Sequence, residues 1–171
     1  LLYLIIYISF IIPCALQAQE RFTDQYNVSY ITMDDGLPHN FIDDIYKDTR
    51  GFLWISTAGG GLSRYDGYEF IHFNPNTSHC KLKSNFILNV HEDTFQRLWI
   101  VSEGGTDIID LLTLQPIIPN DPKGLLTTLL NQPAYTIMRD SQNSIWLQCG
   151  NALHRITFNI KGDVESLSTL T

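Results

Sequence analysis

Positive charge is scarce in this chain. Its 171 residues carry 11 Lys plus Arg against 18 Asp plus Glu, a net charge of −7, and no basic run breaks the balance. Without a basic patch there is no electrostatic footprint for a phosphate backbone, so nucleic acid is not expected as a partner of this segment. A membrane-spanning run is also lacking. Residues 1–12 are apolar apart from Ser9, but a bilayer crossing needs about 20 such residues. Metal-ligand spacing is missing too. His39, His72, His79, His91 and His154 form no H-x-x-H or H-E-x-x-H pattern, so neither a metal nor a cofactor is expected. The run Gly59-Gly60-Gly61 has no lysine and no following helix, which a phosphate loop requires. Asp34-Asp35 and Asp43-Asp44 are adjacent pairs, and neighbours on a strand point to opposite faces, so they do not form an acid–base couple. Disorder is excluded by a composition that is 44% hydrophobic and 12% aromatic.

The apolar start has a reading of its own. A run of about a dozen apolar residues, then Pro13-Cys14 and the small stretch Ala15-Leu16-Gln17-Ala18-Gln19, is the core and cleavage zone of an export signal over residues 1–19. The first residue is Leu1, so the usual basic leader is expected upstream. Pro13 is a poor neighbour for lipid attachment at Cys14.

Self-similarity organises the rest. Trp54, Trp99 and Trp146 are 45 and 47 residues apart, and each follows an aspartate by six: Asp48, Asp93 and Asp140. Asn40 and Asn85 precede their aspartates by eight, with Gln132 in that place in the third copy. Downstream, Ser63-Arg64-Tyr65-Asp66, Asp107-Ile108-Ile109-Asp110 and His154-Arg155-Ile156-Thr157 occupy matching positions.

Each copy reads as short strands joined by turns. In the first, residues 41–47, 52–57, 62–65 and 68–73 are strands. Asp48-Thr49-Arg50-Gly51 is a tight turn, in which the aspartate bonds the backbone ahead and Gly51 takes the left-handed conformation. Asn143 can do the same in the third copy, whereas Gln96 predicts a looser turn. Asp66-Gly67 predicts a two-residue hairpin. Alternation puts Leu53, Ile55 and Thr57 on one face, matched by Leu98, Ile100 and Ser102 and by Ile145, Leu147 and Cys149, with a tryptophan on the other face of each copy. Both faces need cover, which stacked blades supply. Cys149 therefore reads as a small buried side chain rather than half of a bridge to Cys80.

Four antiparallel strands per period of about 45 residues is the arithmetic of a β-propeller. The fold class is all-β: a partial propeller of about three four-stranded blades, preceded by the export signal. The expected limits are a signal at 1–19, a lead-in at 20–36, and blades at 37–81, 82–130 and 131–171, the third incomplete. Residues 26–33 in the lead-in read as a lone outer strand that closes the ring. Three blades do not close a circle, so a longer parent is expected.

The first copy, from Met33-Asp34-Asp35-Gly36-Leu37-Pro38-His39-Asn40 through Asp48, Gly51 and Trp54-Ile55-Ser56-Thr57 to Gly61-Leu62-Ser63-Arg64-Tyr65-Asp66-Gly67, resembles the two-component regulator propeller repeat. The second keeps Asn85, Asp93, Trp99 and Asp110, and the third keeps Asp140 and Trp146. The resemblance implies a seven-bladed ring in the periplasmic sensor of a hybrid two-component regulator. It implies a parent that is a histidine kinase anchored in the inner membrane, dimeric at full length, and responsive to oligosaccharides. This segment would be the non-enzymatic front of that sensor, completed by the parent's remaining blades and its transmembrane and kinase parts.

Two other functions compete with it. One is an exported scaffold for protein contacts, since a fold does not choose a function. The other is a propeller glycosidase. Sialidase-like propellers carry an S-x-D-x-G-x-T-W box, but its aspartate-to-tryptophan spacing is five where this chain has six. Ligand contacts are expected on the rim loops, at 74–82, 115–131 and the hairpin tips 58–60 and 103–105, with His39, His79 and Glu103 as the candidate residues. The tryptophans are assigned to packing.

Overall fold

A computed structural model describes residues 28–77 and 80–170. The export signal expected at residues 1–19, and His79, lie outside the described residues.

The compact unit Thr32–Thr171 holds three antiparallel sheets. The first orders β1 (Ile42–Lys47), β2 (Leu53–Thr57), β3 (Gly61–Tyr65) and β4 (Phe70–Phe73) side by side. The second has β5 (Ile87–Glu92), β6 (Arg97–Ser102) and β7 (Gly105–Asp110). The third has β8 (Ala134–Arg139), β9 (Ile145–Cys149), β10 (Ala152–Phe158) and β11 (Val164–Leu170). All neighbours follow in sequence order, the meander of a propeller blade.

Three expectations are corrected. The third blade is not incomplete, because β11 supplies its fourth strand. The second blade is the short one, its outer edge reduced to a single bridge from Ile109 to Pro116. The lead-in strand at 26–33 is absent among its described residues; Met33–Asp35 instead form one turn of 3₁₀ helix. A capping box favours that turn: the Thr32 hydroxyl accepts from the Asp34 N–H at 3.2 Å, and the Asp35 carboxylate accepts from the Thr32 N–H at 2.8 Å.

The alternation of faces is as the sequence implies. One core lies between the first two blades, where Trp54, Leu62 and Phe73 meet Ile87, Leu98 and Ile100. A second lies between the last two, where Trp99, Val101 and Ile108 meet Ala134, Ile145 and Leu147. The tryptophan face of one blade packs on the aliphatic face of the next. Trp54 and Trp99 are fully buried. Trp146 is half-buried beneath the Arg155 guanidinium, 5.5 Å from its ring. Cys80 and Cys149 are free and buried. Burial pushes the Cys80 thiol up to about 11, with Asp107 adding to the shift, so it stays protonated.

A polar ladder joins the inner strands. Each has a bulge near its start, between Ile42 and Asp44, Ile87 and Asn89, and Ala134 and Thr136. The Asp44 carboxylate accepts from the Asn89 side-chain amide and the Val90 N–H, both at 3.0 Å. Asn89 Oδ1 in turn accepts from the Ile137 N–H at 3.0 Å and the Thr136 hydroxyl at 3.4 Å. Blade-to-blade register is thus fixed beside the ring's axis as well as by the core.

The strand directions give the blades two rims. One carries the inter-blade connectors and the hairpins at 58–60 and 103–104. The other carries the aspartate turns and the outer hairpins at 66–69, 110–115 and 159–163. Within the connector expected at 115–131 the chain forms a short helix, α1 (Leu125–Leu130), which buries Leu126, Leu129 and Leu130.

Candidate functional site

The repeated aspartates and tryptophans form one clasp, built three times. Asp48 Oδ1 accepts from the backbone N–H groups of Arg50 and Phe52, at 3.0 and 2.9 Å, while Oδ2 accepts from the Trp54 indole N–H at 2.8 Å. Asp93 repeats this with Phe95, Arg97 and Trp99, and Asp140 with Gln142, Ser144 and Trp146. The six-residue spacing is therefore the reach of a five-residue turn that returns an indole to its own carboxylate. The turn's left-handed residue is Gly51, Gln96 or Asn143, at φ 94, 59 and 64°. Gln96 differs by one bond. Gly51 and Asn143 donate back to the aspartate carbonyl at 3.0 Å, an interaction Gln96 does not make among the described residues. Each carboxylate is thus occupied by donors from its own turn.

The outer turns are capped similarly. Asp66 Oδ1 accepts from the Tyr68 and Glu69 N–H groups at 2.8 Å, and Asp110 Oδ1 from those of Leu112 and Thr113 at 3.0 and 2.7 Å. The tight pair at the first tip is Gly67-Tyr68, not Asp66-Gly67, since Asp66 itself closes the ladder on Glu69 at 3.3 Å. In the third blade the strand runs one residue past Thr157, to Phe158, and Asn159 becomes the cap, accepting from Lys161 and Asp163.

Asp66, Asp110 and Asp140 are all held below the ordinary carboxylate range. The largest causes are the Glu69 N–H, the Thr113 N–H and the Trp146 indole, respectively. A carboxylate whose folded pKa is depressed contributes stability above its unfolded pKa of about 3.9 and loses it as pH falls through the folded value. Acidification below about pH 4 should therefore release these caps. Amide hydrogen exchange is expected to show Tyr68, Leu112, Thr113, Gln142 and Ser144 losing protection while the β6 amides keep theirs. Uniform loss across the sheets would contradict the assignment.

The connector rim holds the residues singled out from sequence. His39 is exposed, and its Nδ1 accepts from the Phe41 N–H at 2.9 Å, a local loop contact. Glu103 is exposed at the β6–β7 hairpin tip. Among the described residues no hydrogen bond joins the two. Asn40 and Asn85 serve the loops: Asn40 Oδ1 accepts from the Met33 N–H at 3.0 Å, and the Asn85 carbonyl accepts from the Gly61 N–H at 2.9 Å. Nearby, Lys83 Nζ donates to the carbonyls of Thr106 and Leu130, at 2.9 and 2.6 Å, clipping both connectors to β7. A small cleft of about 190 Å³ lies there, against Asp107, Ile117 and Asn131. Burial raises the Asp107 carboxyl, offset by the Lys83 N–H.

A larger groove of about 390 Å³ opens on the turn rim between the second and third blades, lined by Phe95, Gln142, Asn143, Arg155, Phe158 and Glu165 among others. Arg155 is held in place, with Nε on Ser144 Oγ at 3.1 Å and Nη2 on Gln142 Oε1 at 2.6 Å. The sequence reading missed this groove because its walls come from different repeats. No group of three potential metal ligands occurs among the described residues.

With this geometry established, comparison with known proteins is informative. Residues 36–59 match the family described as two component regulator propeller. A solved structure named as the extracellular domain of a hybrid two component system from B. thetaiotaomicron aligns at TM-score 0.64 and 20% identity, over 82% of this chain and 19% of that one. A second such domain from the same organism aligns at TM-score 0.55 and 25% identity, over 78% of this chain and 19% of that one. A streptogramin B lyase aligns at TM-score 0.50 and 12% identity, over 78% of this chain and 41% of that one. No curated protein matches. The chain thus spans about a fifth of the length of the two-component domains. The lyase likeness shows that the fold alone does not select between sensing and catalysis.

Proposed function

We propose that this chain, whose first blade is a two component regulator propeller repeat, belongs to the exported ligand-sensing propeller of a hybrid two-component regulator. In this reading the sensor binds oligosaccharides outside the inner membrane, and a dimeric parent carries the signal to its kinase. The observation that supports it most is the match over residues 36–59, in a chain that also has the fold of two extracellular two-component domains. The clasps add a physical reason. They consume the repeated carboxylates in holding the blades, leaving loops and inter-blade grooves as the surfaces free to recognise a ligand.

Signalling requires a ligand that binds two states of the sensor differently. The intact parent in membrane vesicles should change its autophosphorylation rate when given a neutral β-linked oligosaccharide that binds the propeller. An unchanged rate at saturation with every binder in a panel of gluco-, xylo-, manno- and galacto-oligosaccharides would overturn the proposal.

A further inference from the structure

We infer that the turn-rim groove between the second and third blades is a binding site for a neutral oligosaccharide, with Arg155, Gln142, Asn143 and Glu165 as its polar contacts and Phe95 and Phe158 as its apolar wall. The inference rests on the sensing role proposed above and gives it a location.

Four features carry it. The first is size: about 390 Å³ falls within the roughly 300–1,000 Å³ of ligand clefts. The second is the hydrogen-bonding inventory. Arg155 Nη1, the Gln142 side-chain N–H₂, the Asn143 side chain and the Glu165 carboxylate have no hydrogen-bond partner among the described residues. Sugar hydroxyls donate and accept at once, so vicinal pairs match a guanidinium beside a carboxylate and an amide. The third is charge. The Arg155 guanidinium is already paired with the Asp140 carboxylate at 3.6 Å, and Glu165 faces the same space, so an anionic ligand meets an unbalanced carboxylate, a penalty that a neutral polyol escapes. The fourth is an apolar lip. Ile160 is 98% exposed at the edge of the groove, where the C–H face of a sugar ring would cover it.

The walls are already rigid. Asp140 fixes the turn that presents Gln142 and Asn143, and Asn159 fixes the hairpin that presents Ile160. Arg97 lies against both Phe95 and Phe158, 4.8 and 4.7 Å from the two ring centroids, and its Nη1 donates to the Gly162 carbonyl at 2.7 Å, which pins the apolar wall across the blade junction. A ligand here would bridge two blades. Its binding energy would add directly to the free energy of their packing.

The test is an NMR titration of the full 171-residue chain with tri- to hexasaccharides of β-linked glucose, xylose, mannose and galactose. At least one is expected to shift the amides of Phe95, Gln142–Ser144, Thr157–Ile160 and Glu165. Glu165→Gln should then weaken that sugar by about tenfold or more, the cost of losing a charge-assisted hydrogen bond. Asn143→Gly preserves the left-handed backbone and should also weaken binding, whereas Asp43→Asn, exposed near the start of β1 on the opposite rim, should leave it unchanged. If a sugar binds but shifts the connector rim, or binds Glu165→Gln with unchanged affinity, the groove is wrong and sensing stands. If no member of the panel binds, the groove and the oligosaccharide reading both fall.

Discussion

Asp93→Ala is expected to be the most damaging single substitution in the second blade, costing about 3–5 kcal/mol, the range for stripping one partner from a buried ion pair. The Asp93 carboxylate is 0% exposed and the Arg97 side chain 5%. Asp93 Oδ2 accepts from Arg97 Nε at 2.6 Å and from the Trp99 indole at 2.9 Å, while Oδ1 accepts from two backbone N–H groups. Removing the carboxylate leaves a guanidinium without its counter-charge, held against two phenylalanine rings. Four donors lose their acceptor at once. Asparagine does not rescue the site. With its carbonyl on the turn, its amide would point a third donor at the indole and the guanidinium, so Asp93→Asn should lose nearly as much. Asp48→Ala should cost less, about 1–3 kcal/mol, because Asp48 is buried but has no ion pair among the described residues. Asp140→Ala should cost least, since its ion pair with Arg155 is long, at 3.6 Å, and open to solvent, the two side chains being 26% and 31% exposed, so water can replace the carboxylate. Urea denaturation of the three variants would check that order, and Asp140→Ala equalling Asp93→Ala would contradict it.

The same clasp marks how far the sequence could be read. The spacing from Asp48 to Trp54, from Asp93 to Trp99 and from Asp140 to Trp146 is legible because every blade must close its own turn, so the requirement recurs in the chain. The aspartates close the turns, Trp54 and Trp99 are buried in the core, and the bond between aspartate and tryptophan joins the two roles. The constant six-residue offset was the signal. The faces of β2, β6 and β9 were legible for a similar reason: blades stacked on both sides impose a two-residue alternation on the second strand of each.

Features that occur once were harder to see. Helix α1 left only Leu126, Leu129 and Leu130 at helical spacing inside a connector. Nothing in the composition says that blade two should lack a full fourth strand while blade three has one. The capping residue of the third outer turn moved from position 157 to Asn159 when β10 lengthened. The groove was out of reach for a geometric reason, since Phe95 and Glu165 are brought together only by the stacking of blades. Its walls are set by the register of one blade on the next, which the Asp44–Asn89–Thr136 ladder enforces. In the proposed groove the repeated turns serve twice, the backbones of Phe95 and Gln142 closing the clasps while their side chains line the groove. The clasps repeat because each blade needs one, whereas a binding groove can be particular to one junction.

Gly105→Ala is the second large effect expected, about 2–4 kcal/mol from left-handed strain together with overpacking. Gly105 sits at φ 121, and a Cβ added there would lie 2.4 Å from the Leu130 carbonyl oxygen and 3.3 Å from Lys83 Cδ. That carbonyl is the one Lys83 Nζ holds at 2.6 Å. To admit a methyl group, the end of α1 must retreat, which strains the lysine clip and drags Leu126, Leu129 and Leu130 away from the core they share with Trp99. In the third blade Ala152 holds the equivalent register position, paired with Cys149 as Gly105 is with Ser102, but its backbone is outside the left-handed region, so glycine is demanded by the local backbone of the β6–β7 hairpin and by the Leu130 carbonyl beside it. Gly67→Ala supplies the control. Its φ is 105° but a Cβ there meets nothing within 4 Å, so only the backbone strain of about 1–3 kcal/mol remains. Coupling separates the two causes. If the clash acts through the clip, Lys83→Ala frees the Leu130 carbonyl to move, and the double variant Gly105→Ala/Lys83→Ala should cost measurably less than the sum of its parts. Strict additivity in urea denaturation would mean that the strained backbone at position 105 alone carries the loss.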